Sequence, residues 1–227
     1  MTITANLDLI TREIAAAAAA AGRRPESVKL VAVSKTMPVA LVEEAARAGQ
    51  RLFGENYVQE LVEKAGQVTA AVEWHFIGHL QSNKVKHIAG LVSLIHSVDR
   101  LSLAEEIDRQ WARIGKVCNI LIQVNVAGEA TKSGTASEEA MNVVREIALL
   151  RNVRIGGLMT MPPFFDNPEA ARPYFRELRL LADKISALAI PGVSMKELSM
   201  GMSGDFEVAI EEGATLVRIG SALFGSR

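Results

Sequence analysis

Two rhythms of apolar positions alternate along the chain. Short β-rich runs recur as "KLVAVSK" (29–35), "RLFGEN" (51–56), "WHFIGHL" (74–80), "SLIHSV" (93–98), "VCNILIQVN" (117–125), "VRIGGLMT" (153–160), "KELSMG" (196–201) and "TLVRIG" (215–220). Many are continuous in apolar residues, as strands covered on both faces of a parallel sheet are. Between most of them the period lengthens to that of an amphipathic helix. Leu41, Val42, Ala45 and Ala48 share a face, as do Val58, Leu61, Val62 and Ala65. Ala140, Val143, Val144, Ile147 and Leu150 mark another helix, and Tyr174, Leu178, Leu181 and Ile185 the longest. Pro38 suits a first helical turn, and Gly49 and Gly66 suit helix ends.

Strand and helix alternating about eight times predict a TIM-type (β/α)8 barrel, a fold of typically ~250 residues. The last strand, "TLVRIG", leaves too little chain for a full helix, and one helix, around 6–21, precedes the first strand. The N-terminal helix is therefore expected to cover the gap left by the missing last one. An open doubly wound sheet is the alternative. No linker or low-complexity stretch divides residues 1–227, so they read as one domain; "MPPFFDNP" (161–168) reads as an irregular loop.

Composition narrows the function. Of 227 residues, 49% are apolar, enough for a large core, and 25 basic residues nearly balance 26 acidic ones. With no long run of one sign, nucleic acid is not expected as the main partner. The alanine run near residues 14–21 follows Asp8, Arg12 and Glu13 rather than a basic leader, so it reads as a packed helix and not a signal peptide. No stretch reads as a membrane span. The lone cysteine, Cys118, reads as a small core residue, and a reducing cytoplasm is the expected setting.

Barrel enzymes carry their chemistry at the C-terminal ends of strands. There stands Lys35, expected as the last residue of the first strand. It is either a lysine snorkelling to solvent or an amine beside an apolar floor, where burial lowers its pKa and lets it form an imine with an aldehyde. Backbone N–H groups of Gly220 and Ser221 could hold a phosphate. Met202, Ser203 and Gly204, where the seventh run gives way to a helix, offer a second set of donors, with Ser203 as a helix cap or a phosphate donor. Arg218, inside "LVRIG", is either salt-bridged near the barrel end or bonded to a ligand above those strands. Lysine, phosphate cradle and arginine together suggest pyridoxal 5'-phosphate, with Arg218 on the pyridine nitrogen. A guanidinium donates only, so it leaves that nitrogen unprotonated and weakens the ring as an electron sink.

The stretches "AVSKT", "FGENYVQE", "WHFIGHLQSNK", "GLMTM", "LSMGMSGDFEVAI" and "TLVRIGSALFG" resemble the pyridoxal phosphate homeostasis proteins, single-domain relatives of the alanine racemase N-terminal barrel. The resemblance spans Ala32 to Gly225. It implies a Schiff base on Lys35, ring-nitrogen contact from Arg218, phosphate contacts from Ser203, Gly220 and Ser221 with backbone help from Met202, and Asn56 beside the cofactor. It implies a cytosolic protein that buffers or delivers pyridoxal phosphate and affects amino-acid and keto-acid balance, with no established catalytic activity. Recipients, including pyridoxal phosphate-dependent apoenzymes, stay open. Alanine racemase adds a second, β-rich domain and a catalytic tyrosine from the partner subunit. This chain ends at Arg227, just after the barrel; neither Tyr57 nor Tyr174 matches that tyrosine, and Tyr174 reads as helix packing. Two-base racemization needs an acid and a base on opposite faces of the substrate, and only Lys35 can be named. The absence of the second domain also removes that dimer geometry, so a monomer is expected.

Of the four histidines, His75 and His79 lie four apart, but on a strand and its end rather than a helix and without adjacent carboxylates, so metal binding is not expected. His79, Gln81 and Lys84 either line the barrel mouth or start a solvated helix. Glu55 is a strand-end acid or the partner of a nearby lysine. Met159 and Met161 are expected to fill the barrel end. Besides a non-catalytic carrier, two functions remain open: a cofactor-dependent enzyme with weak amino-acid activity, and a cofactor-free Schiff-base aldolase of sugar phosphates.

Overall fold

The computed structural model describes residues 2–129 and 133–225. Strands β1 (Lys29–Val33), β2 (Leu52–Glu55), β3 (Glu73–Phe76), β4 (Leu94–Val98), β5 (Cys118–Asn125), β7 (Val153–Met159), β8 (Val193–Ser199) and β9 (Leu216–Ile219) pair in parallel, each with the next, and β9 returns to β1 to close the barrel. The two-residue β6 (Thr135–Ala136) adds to the end of β5 outside the ring.

The helices are α1 (Ile3–Ala20), α2 (Val39–Arg47), α3 (Val58–Gln67), α4 (Val85–Ile88), α5 (Leu101–Arg113), α6 (Ala140–Ile147), α7 (Arg172–Ser186), α8 (Phe206–Glu211) and α9 (Ser221–Phe224). After β9 only the one-turn α9 follows, and α1 packs against α2, α8 and α9. The N-terminal helix thus fills the place of a full last helix. Pro38 is the N-cap of α2 rather than a residue of its first turn.

Strand alternation sorts the side chains into two layers. Val31, Leu94, Leu121, Met159 and Leu216 form a small apolar cluster inside the barrel. The alternate residues, such as Ala32, Phe53, Ile95, Ile120 and Val217, join the larger core between sheet and helices. Because helices cover the outside, all five residues of β4 are buried, which explains the continuous apolar runs. The same alternation turns Glu55 outward toward α3, while Arg218, two residues beyond Leu216, faces in. Cys118 is buried in the outer core, where burial pushes its thiol pKa well up.

Candidate functional site

A cavity of about 710 Å³ opens at the C-terminal ends of the strands. Its lining includes Lys35, Asn56, Met202, Ser203, Arg218, Gly220 and Ser221, so these seven candidates reach one space. Each comes from a different part of the chain. Lys35 lies in the turn after β1, half-buried, and not on the strand as expected: β1 ends at Val33. Asn56 follows β2, Ser203 and its neighbours follow β8, and Gly220 and Ser221 follow β9. Met37, Ile77, Met161, Phe164 and Phe165 supply an apolar wall. Met159 is fully buried as expected, but Met161 is 43% exposed at the cavity mouth and does not fill the barrel end.

The phosphate-type features stand on the loops after β8 and β9. Ser203 Oγ lies 3.5 Å from the backbone N–H of Ala222, which brings the two loops together. Gly220 is closely packed: an added Cβ would meet Cβ and the carbonyl oxygen of Val33 at 3.3 Å, tighter than most such contacts. Ser203 does not cap α8; Asp205 holds the N-cap position. Asp205 also lines the cavity, and its Oδ1 accepts from the Met202 N–H at 2.6 Å. The Met202 amide expected to face a ligand is therefore engaged by Asp205. Burial pushes the Asp205 carboxyl pKa up, against the pull of that N–H and the Arg218 charge.

Arg218 is only 4% exposed. Its hydrogen bonds go to neutral oxygens rather than a carboxylate: Nη1 donates to Ser199 Oγ (2.5 Å) and Nη2 to the Thr160 carbonyl (2.9 Å). Desolvation lowers its pKa to about 10, so it still carries its charge at neutral pH. From Ser199 a polar file runs through the barrel interior. His96 Nδ1 lies 2.8 Å from Ser199 Oγ, and His96 Nε2 lies 3.0 Å from His75 Nδ1. A guanidinium can only donate, so Ser199 accepts from Arg218; with a second lone pair and its own hydrogen it can meet either tautomer of His96. Burial holds both rings neutral, with His75 lowered to about 4 and His96 well below the usual imidazole value. Nothing in the apolar pattern around "LIHSV" or "ELSMG" marks this file; the signal was polar residues at inward strand positions.

The remaining candidates fall elsewhere. Glu55 pairs with Lys64 at 2.7 Å. Tyr174 stacks on Phe165, with ring centroids 5.8 Å apart, and Tyr57 is exposed at the start of α3. His79 lines a smaller adjoining cavity of about 270 Å³, where Ser133 Oγ lies 3.3 Å from its Nδ1. Gln81 and Lys84 line neither space. Among the described residues no His, Cys, Asp and Glu side chains group as a metal site, and no helix is long and apolar enough to cross a membrane.

Such a cavity can seat an anion on the β8 and β9 loops while presenting an amine and a guanidinium to the rest of the ligand. The family model described as the alanine racemase N-terminal domain matches residues 5–227. A relative from Aquifex aeolicus, named pyridoxal phosphate homeostasis protein, is 47% identical over 222 residues, covering 97% of this chain and 96% of its own. Among solved structures, an unknown protein from Bifidobacterium adolescentis superposes with a TM-score of 0.92 at 38% identity, over 98% of this chain and 94% of its own. PipY of Synechococcus elongatus, solved with PLP bound, gives a TM-score of 0.84 at 34% identity, over 99% of this chain and 100% of its own. The chain therefore belongs to the pyridoxal phosphate homeostasis protein family, within the wider alanine racemase N-terminal domain family.

Proposed function

We propose that this protein binds pyridoxal 5'-phosphate, holds it covalently but reversibly through Lys35, and serves as an intracellular buffer or carrier without turnover. The observation that carries the reading is the convergence of Lys35, Arg218, Ser203, Gly220 and Ser221 on one cavity. PipY, a relative with the same fold, was solved with PLP bound.

The residues fit the group. Asn56 Oδ1 is buried at the cavity without a hydrogen-bond partner, an orphan acceptor that a ligand can satisfy. Ser203 and the N–H groups of Gly220 and Ser221 receive the phosphate, and Arg218 meets the ring nitrogen as a donor. Met202 contributes from the loop wall, since its N–H is engaged by Asp205. When bound, the cofactor supplies a reactive aldehyde and an electron-withdrawing ring. Arg218 keeps the ring nitrogen unprotonated and so weakens carbanion stabilisation. Among the described residues Asp205 is the one carboxylate of the lining, and its bond to Met202 keeps it on the phosphate loop. With Arg218 on the ring nitrogen, that placement supports a carrier over an enzyme.

Absorbance spectra of wild type and Lys35→Ala with added pyridoxal phosphate test this reading. A visible imine band in wild type, lost in the variant, with no turnover of amino acids, supports it. A colourless wild type that instead condenses with sugar phosphates would establish the aldolase alternative.

A further inference from the structure

The turn that carries Lys35 stands on a buried cluster of charge that ligand contact does not explain. Lys64 on α3 donates to the Ser34 carbonyl (2.5 Å), Glu55 Oε1 (2.7 Å) and Glu60 Oε1 (2.7 Å). Three acceptors use all the hydrogens an ammonium has. The Lys64 side chain is 4% exposed and that of Glu55 is 0%. Glu55 Oε1 accepts a second bond from Ser34 Oγ (2.7 Å), and Glu60 Oε1 accepts one from the backbone N–H of Thr36 (2.5 Å). The residues on both sides of Lys35 are thus tied to one ion cluster. Thr36 needs such a tie: its φ is +62°, a left-handed conformation that a β-branched residue rarely adopts. Strain of this kind persists where surrounding contacts over-determine it.

Stability does not account for the cluster, because an apolar pair of similar volume is often as stable as a buried ion pair. What the ions add is direction. We propose that Lys64, Glu55 and Glu60 are positioning residues that fix the 34–36 turn, so that the Lys35 amine meets the carbonyl carbon of a ligand whose phosphate is already seated. This inference rests on the carrier reading above. The step served is a condensation. The Lys35 nitrogen forms a C=N bond with the aldehyde carbon, and the aldehyde oxygen leaves as water with the two amine hydrogens. Lys64, surrounded by three acceptors, serves as a donor and not as a second nucleophile.

Two ligands separate seating from condensation: pyridoxal 5'-phosphate, and pyridoxine 5'-phosphate, which has an alcohol in place of the aldehyde. The variants are Glu60→Ala and Glu60→Gln. Glu60 is the least buried member, and both changes leave the Lys64–Glu55 pair in place. In Glu60→Ala the imine band should grow roughly tenfold more slowly, as misplacement of a reacting group predicts. Affinity for pyridoxal phosphate should fall while affinity for pyridoxine phosphate holds. Glu60→Gln keeps an oxygen for the Thr36 N–H and should restore most of the rate. The double variant Lys64→Met/Glu55→Gln should repeat the loss without leaving an unpaired buried charge. Equal loss of both ligands, or no loss of either, would overturn the positioning role. A wild type that binds both ligands equally and shows no imine band would overturn the carrier reading, and this inference with it.

Discussion

Arg218 donates from Nη1 to Ser199 Oγ at 2.5 Å, and this contact ties the cation to the polar file behind it. Arginine has no acceptor, so Ser199 accepts this bond, and His96 and His75 continue the file through contacts of 2.8 and 3.0 Å. The file occupies barrel interior that apolar layers fill in most barrels of this type. It holds a buried cation at the cavity floor through neutral hydrogen-bond partners, with the Asp205 carboxylate near enough to act on its charge.

Ser199→Ala removes the middle of that file. It leaves the Arg218 donor and His96 Nδ1 without their partner in a space closed to solvent. A loss of about 2–3 kcal/mol in unfolding free energy is expected, as for an unsatisfied buried group bonded to a charge. Urea denaturation measures it, and pyridoxal phosphate affinity should fall with it as Arg218 loses its orientation.

The two histidines give the file a pH signature. Their folded pKa values lie below the unfolded value of 6.5, with His75 at about 4. The native state therefore binds fewer protons than the unfolded state across that window, and stability falls as pH falls. His75 alone accounts for about 2 kcal/mol between pH 7 and pH 5. Glu55 and Asp205, whose folded pKa values are raised, act in the opposite direction. The histidine contribution is isolated by comparing wild type with His75→Gln/His96→Gln: the variant should show a shallower loss of stability between pH 7 and pH 5.

Two glycines separate a crowded position from an open one. A Cβ on Gly78 would lie 2.2 Å from the Asn56 carbonyl oxygen, whereas one on Gly66 meets nothing within 4 Å. Gly78→Ala should cost about 1–3 kcal/mol by forcing the backbone apart, and should weaken ligand binding by displacing Asn56. Gly66→Ala, near the end of α3, should be neutral or stabilise by up to about 1 kcal/mol. Thermal unfolding with and without pyridoxal phosphate distinguishes the two.

Cys118 should not react with a thiol reagent in the native protein, since it is 1% exposed and its thiol pKa is pushed up. One equivalent should react on unfolding. Fast labelling of the folded protein would contradict the packing around β5.

The barrel was legible because each strand announces itself by a continuous apolar run, and because the short tail after "TLVRIG" pointed to α1 as the substitute helix. Lys35, Ser203, Gly220 and Ser221 stand out where apolar runs end, and Arg218 as a charge inside one, whereas Asn56 follows from the family resemblance alone. Strand ends were less so. Lys35 was expected on β1, yet the strand stops at Val33, because pairing to β2 ends there and the Lys64 cluster takes over the backbone. That cluster was only half visible. Glu55 was open to a lysine partner, but Lys64 reads as an ordinary polar position of α3. Asp205, beside Ser203, carries no signal of its own in the sequence, because its bond to the Met202 N–H depends on how the loop folds. The Arg218 file depends on which of two strand faces points inward, and that follows from register around the closed ring rather than from any one segment.

The central claim is that Lys35 carries pyridoxal phosphate. The most direct measurement is to incubate the protein with pyridoxal phosphate, reduce with borohydride, digest, and locate the modified peptide by mass spectrometry. A single phosphopyridoxyl group on Lys35, absent from Lys35→Ala, is the predicted result. Modification scattered over surface lysines, with Lys35 unlabelled, would contradict it.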